Sequence, residues 1–110
     1  MEAALCTKLS FTNDLSELDV DFIVEFLQKT YWAGNRSREK IIQSIENSLN
    51  FGVFEGVRQV AYARVVTDTV SFAYIMDLFV DERYRLQGVA STLIDKVLEH
   101  PSQKEVPTLL

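Results

Sequence analysis

The chain has 110 residues, 47% of them apolar and 25% charged, which suits one soluble globular domain with a real core. Its 11 Lys and Arg stand against 16 Asp and Glu, a net charge of -5, and no basic block offsets this, which argues against a nucleic-acid partner. No tract is rich in proline and glycine, no repeat recurs, and no apolar run approaches the ~18 residues of a membrane span, so residues 1–110 read as one domain, soluble and cytoplasmic, with no membrane partner.

Residues 5–12 alternate loosely and predict a first strand, at an edge of the sheet. They contain the single cysteine, Cys6, which has no disulfide partner and no metal-ligand neighbour at useful spacing, so it reads as a structural thiol and no metal site is expected. Asn13-Asp14 breaks the strand. Asp19 is placed to cap a helix in which Val20, Ile23, Val24 and Leu27 recur at helical spacing, flanked by Phe22 and Phe26. Gly34-Asn35 closes this segment. Tyr31, Trp32 and Arg36 lie together in the loop, where they suit either a binding surface or packing against the helix end. Ser37 caps a second helix carrying Ile41, Ile42, Ile45 and Leu49, with Asn50 near its C-terminus.

From Phe51 the period changes from helix to strand. A short strand runs to Gly56, a second from Arg58 to Val66, and a third from Ser71 to Val80, joined by short turns that imply an antiparallel meander. The second strand puts Val60, Tyr62, Arg64 and Val66 on one face and Ala61, Ala63 and Val65 on the other. The third is apolar on both faces apart from Asp77, which predicts a central strand covered on both sides. After Gly88, Val89, Ala90, Leu93, Ile94, Val97 and Leu98 mark the inner face of an amphipathic helix that stops at His100-Pro101. Val106 to Leu110 suggests the beginning of one more strand.

The stretch from Met76 to Ile94 compresses a strand, a glycine turn and a helix start into a few residues around Arg85-x-x-Gly88-x-Ala90. That is how a chain presents unpaired backbone N–H groups to a phosphate. Gly88 allows close backbone approach, and Arg85 adds a charged clamp.

In this stretch the sequence resembles the acyl-CoA-binding motif of the GNAT superfamily of N-acetyltransferases. The resemblance extends over nearly the whole chain, and Tyr31 to Arg36 with Phe51 to Thr67 is similar to a bacterial subgroup of small GNAT proteins. It implies an α/β (α+β) fold with a mixed, mostly antiparallel sheet flanked by helices, in the order β-α-α-β-β-β-α. It also implies that Arg85, Leu86, Gln87, Gly88, Val89, Ala90 and Ser91 surround the pyrophosphate of acetyl-CoA, that Leu78, Phe79 and Val80 pair with its pantetheine arm, and that an amine enters near Tyr31, Trp32 and Arg36. Leu86 departs from the pattern, standing where many relatives carry glycine or a small polar residue. The fold normally continues with a strand, a helix and two strands, and the helix commonly carries a tyrosine that protonates the leaving thiolate. No residue here matches that tyrosine, and the expectation is a domain shortened after its acyl-CoA motif, with an exposed sheet edge suited to a homodimer.

Attack of an amine on a thioester needs a base, an oxyanion donor and an acid. Asp77 is the candidate base, with a satisfied carboxylate at a strand distortion as the alternative reading. The N–H of Phe79 or Val80 is the candidate oxyanion donor, while Glu82 and Tyr74 are weaker acid–base candidates. The functional expectation is an acetyl-CoA-dependent N-acetyltransferase, against a catalytically silent CoA-binding or interaction module.

Overall fold

A computed structural model describes residues 9–30 and 34–100. Cys6, Tyr31, Trp32 and the segment Val106 to Leu110 lie outside the described residues. The elements in chain order are strand β1 (Leu9–Thr12), helix α1 (Val20–Gln28), helix α2 (Arg38–Glu46), strands β2 (Leu49–Glu55), β3 (Arg58–Thr67) and β4 (Ala73–Val80), and helix α3 (Val89–Glu99). Short 3-10 turns precede α1, at Leu15–Glu17, and α3, at Glu82–Tyr84. This is the β-α-α-β-β-β-α order that the resemblance implies.

Both helix starts are built by their caps. The Asp19 carboxylate accepts from Phe22 N–H at 3.1 Å, and the Ser37 hydroxyl accepts from Lys40 N–H at 3.2 Å. The apolar faces then set the packing: Ile23, Val24 and Leu27 of α1 and Ile41 and Ile45 of α2 are buried against the sheet.

α2 ends a turn sooner than the sequence pattern suggests, and Leu49 and Asn50 belong to β2. Asn50 still terminates the helix, because its side-chain amide donates to the carbonyls of Ile45, at 2.8 Å, and Ser48, at 3.0 Å. The carbonyls that a longer helix would consume are satisfied from the strand instead. β4 likewise begins at Ala73 rather than Ser71. The Asp68 carboxylate accepts the N–H groups of Val70, Ser71 and Phe72 at 2.9, 2.8 and 3.3 Å, so those donors serve the turn and not the ladder.

The four strands lie in the order β1-β2-β3-β4, every neighbouring pair antiparallel. α3 covers one face, where Val89, Leu93 and Val97 meet Phe51, Val53, Ala61, Ala63 and Val65. α1 and α2 cover the other, around Tyr62 and Phe79. Val60 joins the α3 side rather than the Tyr62 side. A register shift pairs Val53 with Ala61 and Phe54 with Gln59, which leaves Val60 as the extra residue of a bulge.

β4 is the main topological correction. Among the described residues it is an edge strand, with only β3 beside it. Its two apolar faces reflect helices above and below the sheet, whereas lateral position is a matter of hydrogen bonding that residue type does not report. No helix of the described residues is long and apolar enough to cross a membrane.

Candidate acyl-donor cleft and ion-pair cluster

A cleft of about 730 Å³ follows the free edge of β4. One wall is α1, through Phe22 and Phe26, with Lys29 and Thr30 just past its end; the other is the C-terminal half of β4, Leu78 to Val80, continuing to Arg85 and Ala90. Phe26 stacks on Phe79 with ring centroids 3.9 Å apart and planes 6° from parallel, giving the cleft an apolar floor.

The hydrogen-bond phase of β4 is fixed by Asp81, whose N–H donates to the Val60 carbonyl at 2.8 Å. Backbone groups of an antiparallel strand alternate in direction, so Phe79 turns its N–H and C=O toward β3 while Val80 and Leu78 turn theirs to the open side. The Val80 carbonyl accordingly accepts from Arg85 Nε at 3.1 Å. The expected trio thus divides: Leu78 and Val80 offer backbone groups to the cleft, and Phe79 offers its ring.

Past Val80 the chain turns sharply. Asp81 accepts from Arg83 N–H at 3.0 Å and starts the 3-10 turn that buries Tyr84. Leu86 (φ 64°) and Gly88 (φ 80°) are both left-handed, and Gly88 is the N-cap of α3 with no side-chain cap bond. The first helical bond runs from Thr92 N–H to the Gly88 carbonyl at 3.0 Å. The N–H groups of Val89, Ala90 and Ser91 therefore emerge from the helix end without an intrahelical acceptor. They line a smaller recess of about 250 Å³, with Arg85, Leu86 and Gly88 around it. A Cβ built on Gly88 meets nothing within 4 Å, so this position faces open space. Of the stretch 85–91, Gln87 alone does not line the recess, and its side chain donates to the Arg83 carbonyl at 3.3 Å.

At the opposite end of the cleft β4 is distorted. Tyr62 pairs with Phe79 and Arg64 with Met76, so one residue of β3 faces both Asp77 and Leu78, and Asp77 takes φ 57°. The Asp77 side chain is 2% exposed and accepts three guanidinium hydrogen bonds. Arg36 donates at 2.7 and 3.3 Å and Arg64 at 2.9 Å. Arg64 continues to the Ser48 hydroxyl at 3.1 Å, beyond the end of α2, where a cation is favoured by the helix dipole. Burial pushes the Asp77 carboxyl up, but the hydrogen bonds and charges of Arg36 and Arg64 outweigh it and hold it below the ordinary carboxylate range.

A family model of the acetyltransferase (GNAT) family matches residues 14–109. The chain belongs to the GNAT acetyltransferase family. A GNAT-family protein from Xanthomonas campestris pv. campestris, named as an acetyltransferase, superimposes with TM-score 0.88 at 35% identity over 93% of this chain and 72% of its own. Glucosamine-6-phosphate N-acetyltransferase from Arabidopsis thaliana shares the fold at TM-score 0.64 and 15% identity, over 93% of this chain and 80% of its own. Ribosomal-protein-S18-alanine N-acetyltransferase from Escherichia coli shares it at TM-score 0.65 and 19% identity, over 83% and 57%. No match was found among curated protein sequences.

Within this GNAT domain the cleft and the recess join at Val80, Arg85 and Ala90, which line both. Asp77 and Arg36 are brought together directly, which the sequence reading did not anticipate. The geometry matches the satisfied carboxylate at a strand distortion: the oxygens that a base would use already accept from guanidiniums. Tyr74 is half exposed at the far end of β4, before the bulge. Sequence reading also missed Arg64, although a signal existed: one arginine and one aspartate interrupt apolar strands that a short turn pairs. Phe22 and Phe26 were legible as helix flank but not as cleft wall.

Leu86 provides a test of the turn itself. A non-glycine residue in the left-handed region costs about 1–2 kcal/mol, and glycine gives back about 0.5–1 kcal/mol of that in chain entropy. The Leu86 side chain is fully exposed, so no packing is lost on removing it. Leu86→Gly is expected to stabilise the protein by about 0.5–1 kcal/mol, read as a higher urea midpoint at unchanged slope. A lower midpoint would show that the turn is held by contacts of the leucine.

Proposed function

We propose that the protein transfers an acetyl group from acetyl-CoA to the primary amine of a small molecule or peptide. The supporting observation is one continuous path: the edge of β4 at Leu78 and Val80, which has no strand beside it among the described residues, leads to the start of α3, where Arg85 and the amides of Val89 to Ser91 converge. This suits a long, thin ligand with a strand-like amide arm and a pyrophosphate at one end. Acetyl-CoA fits both parts, with Arg85, Leu86, Gln87, Gly88, Val89, Ala90 and Ser91 around its phosphates and the Leu78–Val80 edge along its arm. That arrangement delivers the thioester next to the Asp77 bulge.

In the transfer the amine nitrogen attacks the thioester carbonyl carbon, the C–N bond forms and the C–S bond breaks. The ammonium proton leaves before attack, the nitrogen sheds a second proton as the amide forms, and the leaving thiolate takes up one proton to depart as the thiol. The outward N–H of Leu78 or Val80 is the donor for the oxyanion. Asp77 acts as a positioning residue that locks the bulge and Arg36, and proton removal falls to water or to the acceptor's own environment. If Leu78 and Val80 carry the arm, β1 is the sheet edge left, among the described residues, for pairing with a second copy.

The test is thiol release from acetyl-CoA across a panel of amines and short peptides, with CoA binding followed by calorimetry. Turnover with at least one amine, and saturable CoA binding, are expected. Saturable binding with no thiol release on a broad panel would replace this reading with a silent CoA-binding module. Absence of binding would remove both.

A further inference from the structure

The ion-pair cluster beside the cleft carries more positive charge than negative. Arg36 and Arg64 share the single carboxylate of Asp77, and neither has a second acidic partner among the described residues. Arg64 is enclosed at 8% side-chain exposure, with further contacts to Ser48 Oγ at 3.1 Å and Met76 Sδ at 3.5 Å. Arg36 differs. Its side chain is 30% exposed, and Asp77 takes one hydrogen bond from each terminal nitrogen. A guanidinium has five N–H donors, so three remain to be placed, and no further acceptor for them stands among the described residues.

Location gives this charge a meaning. Arg36 is bound to Asp77, and the next residue, Leu78, lines the cleft at the end remote from α3. The Arg36 carbonyl accepts from Gln28 Nε2 at 3.3 Å, and the residue after Gln28, Lys29, lines the cleft. The cluster that adjoins Leu78 thus holds two guanidiniums against one carboxylate, a local positive excess in a chain of net charge -5. A plain alkylammonium is repelled there. An amine that brings its own anion is attracted, and a planar carboxylate matches the fork of a partly exposed guanidinium whose orientation Asp77 fixes.

We propose that Arg36 receives a carboxylate of the acceptor, so that the preferred acceptors are amino-carboxylic acids. This rests on the acetyltransferase reading above and goes beyond it by naming the acceptor class. The local positive charge also favours loss of the ammonium proton, since a like charge disfavours the charged form.

Matched pairs test the proposal: glycine against glycinamide, alanine against alaninamide and lysine against lysinamide, with one aminoalkyl phosphate, all measured as thiol release from acetyl-CoA. The amides have the more easily deprotonated amines, so an indifferent site would favour them. The wild-type protein is expected to prefer the acids by at least tenfold in kcat/KM. Arg36→Gln should bring that ratio near one by raising KM for the acids well beyond any change it makes for the amides, and Arg36→Lys should keep part of the preference. Equal or better use of the amides overturns the proposal, and so does equal use of the aminoalkyl phosphate, which would make charge alone the selector. Failure of the transferase reading looks different, since no amine of any charge then releases thiol. In that event calorimetry with N-acetylglycine on the CoA-loaded protein decides: binding that Arg36→Gln abolishes supports the carboxylate site, and no binding overturns it.

Discussion

Asp77→Asn is expected to cost about 3 kcal/mol of folding stability, near the lower limit for breaking a buried ion pair by removing one partner. The backbone is not the cause. Asp77 sits at φ 57°, and asparagine adopts that region about as readily as aspartate. What changes is charge: Arg36 and Arg64 lose the one carboxylate they share, and Arg64 is too enclosed to recover the loss from water. Set against a total of about 5–15 kcal/mol for a domain, this is a large fraction, and it corresponds to a fall in melting temperature of about 10–20 °C. Adding Arg64→Met to Asp77→Asn should restore part of it, because one unpaired guanidinium is then removed. The pH dependence has a definite sign. The folded carboxyl titrates below its unfolded value, so its contribution is fully present above about pH 4 and is lost as pH falls through the folded value. The wild-type protein should therefore lose stability on acidification more steeply than Asp77→Asn. A loss below about 1 kcal/mol would mean that the cluster behaves as a solvated surface pair.

That cluster also marks the boundary of what the sequence could tell. Local signals were legible wherever the chemistry is local. Asp19 and Ser37 cap the helices they were expected to cap, and the change of period at Phe51 announces the meander. Gly88 opens α3 as its left-handed N-cap. The features that were not legible depend on which strand lies beside which. β4 has the composition of a covered strand and is covered, yet among the described residues its edge is open, because residue type records burial of the faces and not pairing of the backbone. The bulges at Val60 and Asp77 shift side chains between faces without altering the alternation that a reader counts. Arg36 and Asp77 are 41 positions apart, so their bond follows from the whole fold rather than from any spacing.

Gly88→Glu is expected to weaken CoA binding by about 100-fold while leaving the domain folded, and it separates the two ends of the cleft. Three contributions add. A glutamate at φ 80° bears the left-handed strain of about 1–2 kcal/mol, which shifts the turn away from the geometry that aims the amides of Val89 to Ser91. Each amide that loses its phosphate gives up about 0.3–1 kcal/mol. The carboxylate itself lies in the recess and repels the pyrophosphate, a charge term that salt reduces. Together these exceed the ~2.8 kcal/mol that a 100-fold change in affinity represents. Gly88→Ala divides them. Its Cβ meets nothing within 4 Å, so only strain remains, and a loss of no more than about 30-fold is expected. Calorimetric titration of CoA at low and moderate salt reads both variants, with partial recovery of Gly88→Glu as salt rises. Neither change touches Arg36 or Asp77, so the acid-over-amide preference should survive in Gly88→Ala even where affinity for the donor falls. If Gly88→Glu bound CoA within about threefold of the wild-type protein, the α3 start would not be the pyrophosphate site, and the path along Leu78 and Val80 would have to end elsewhere.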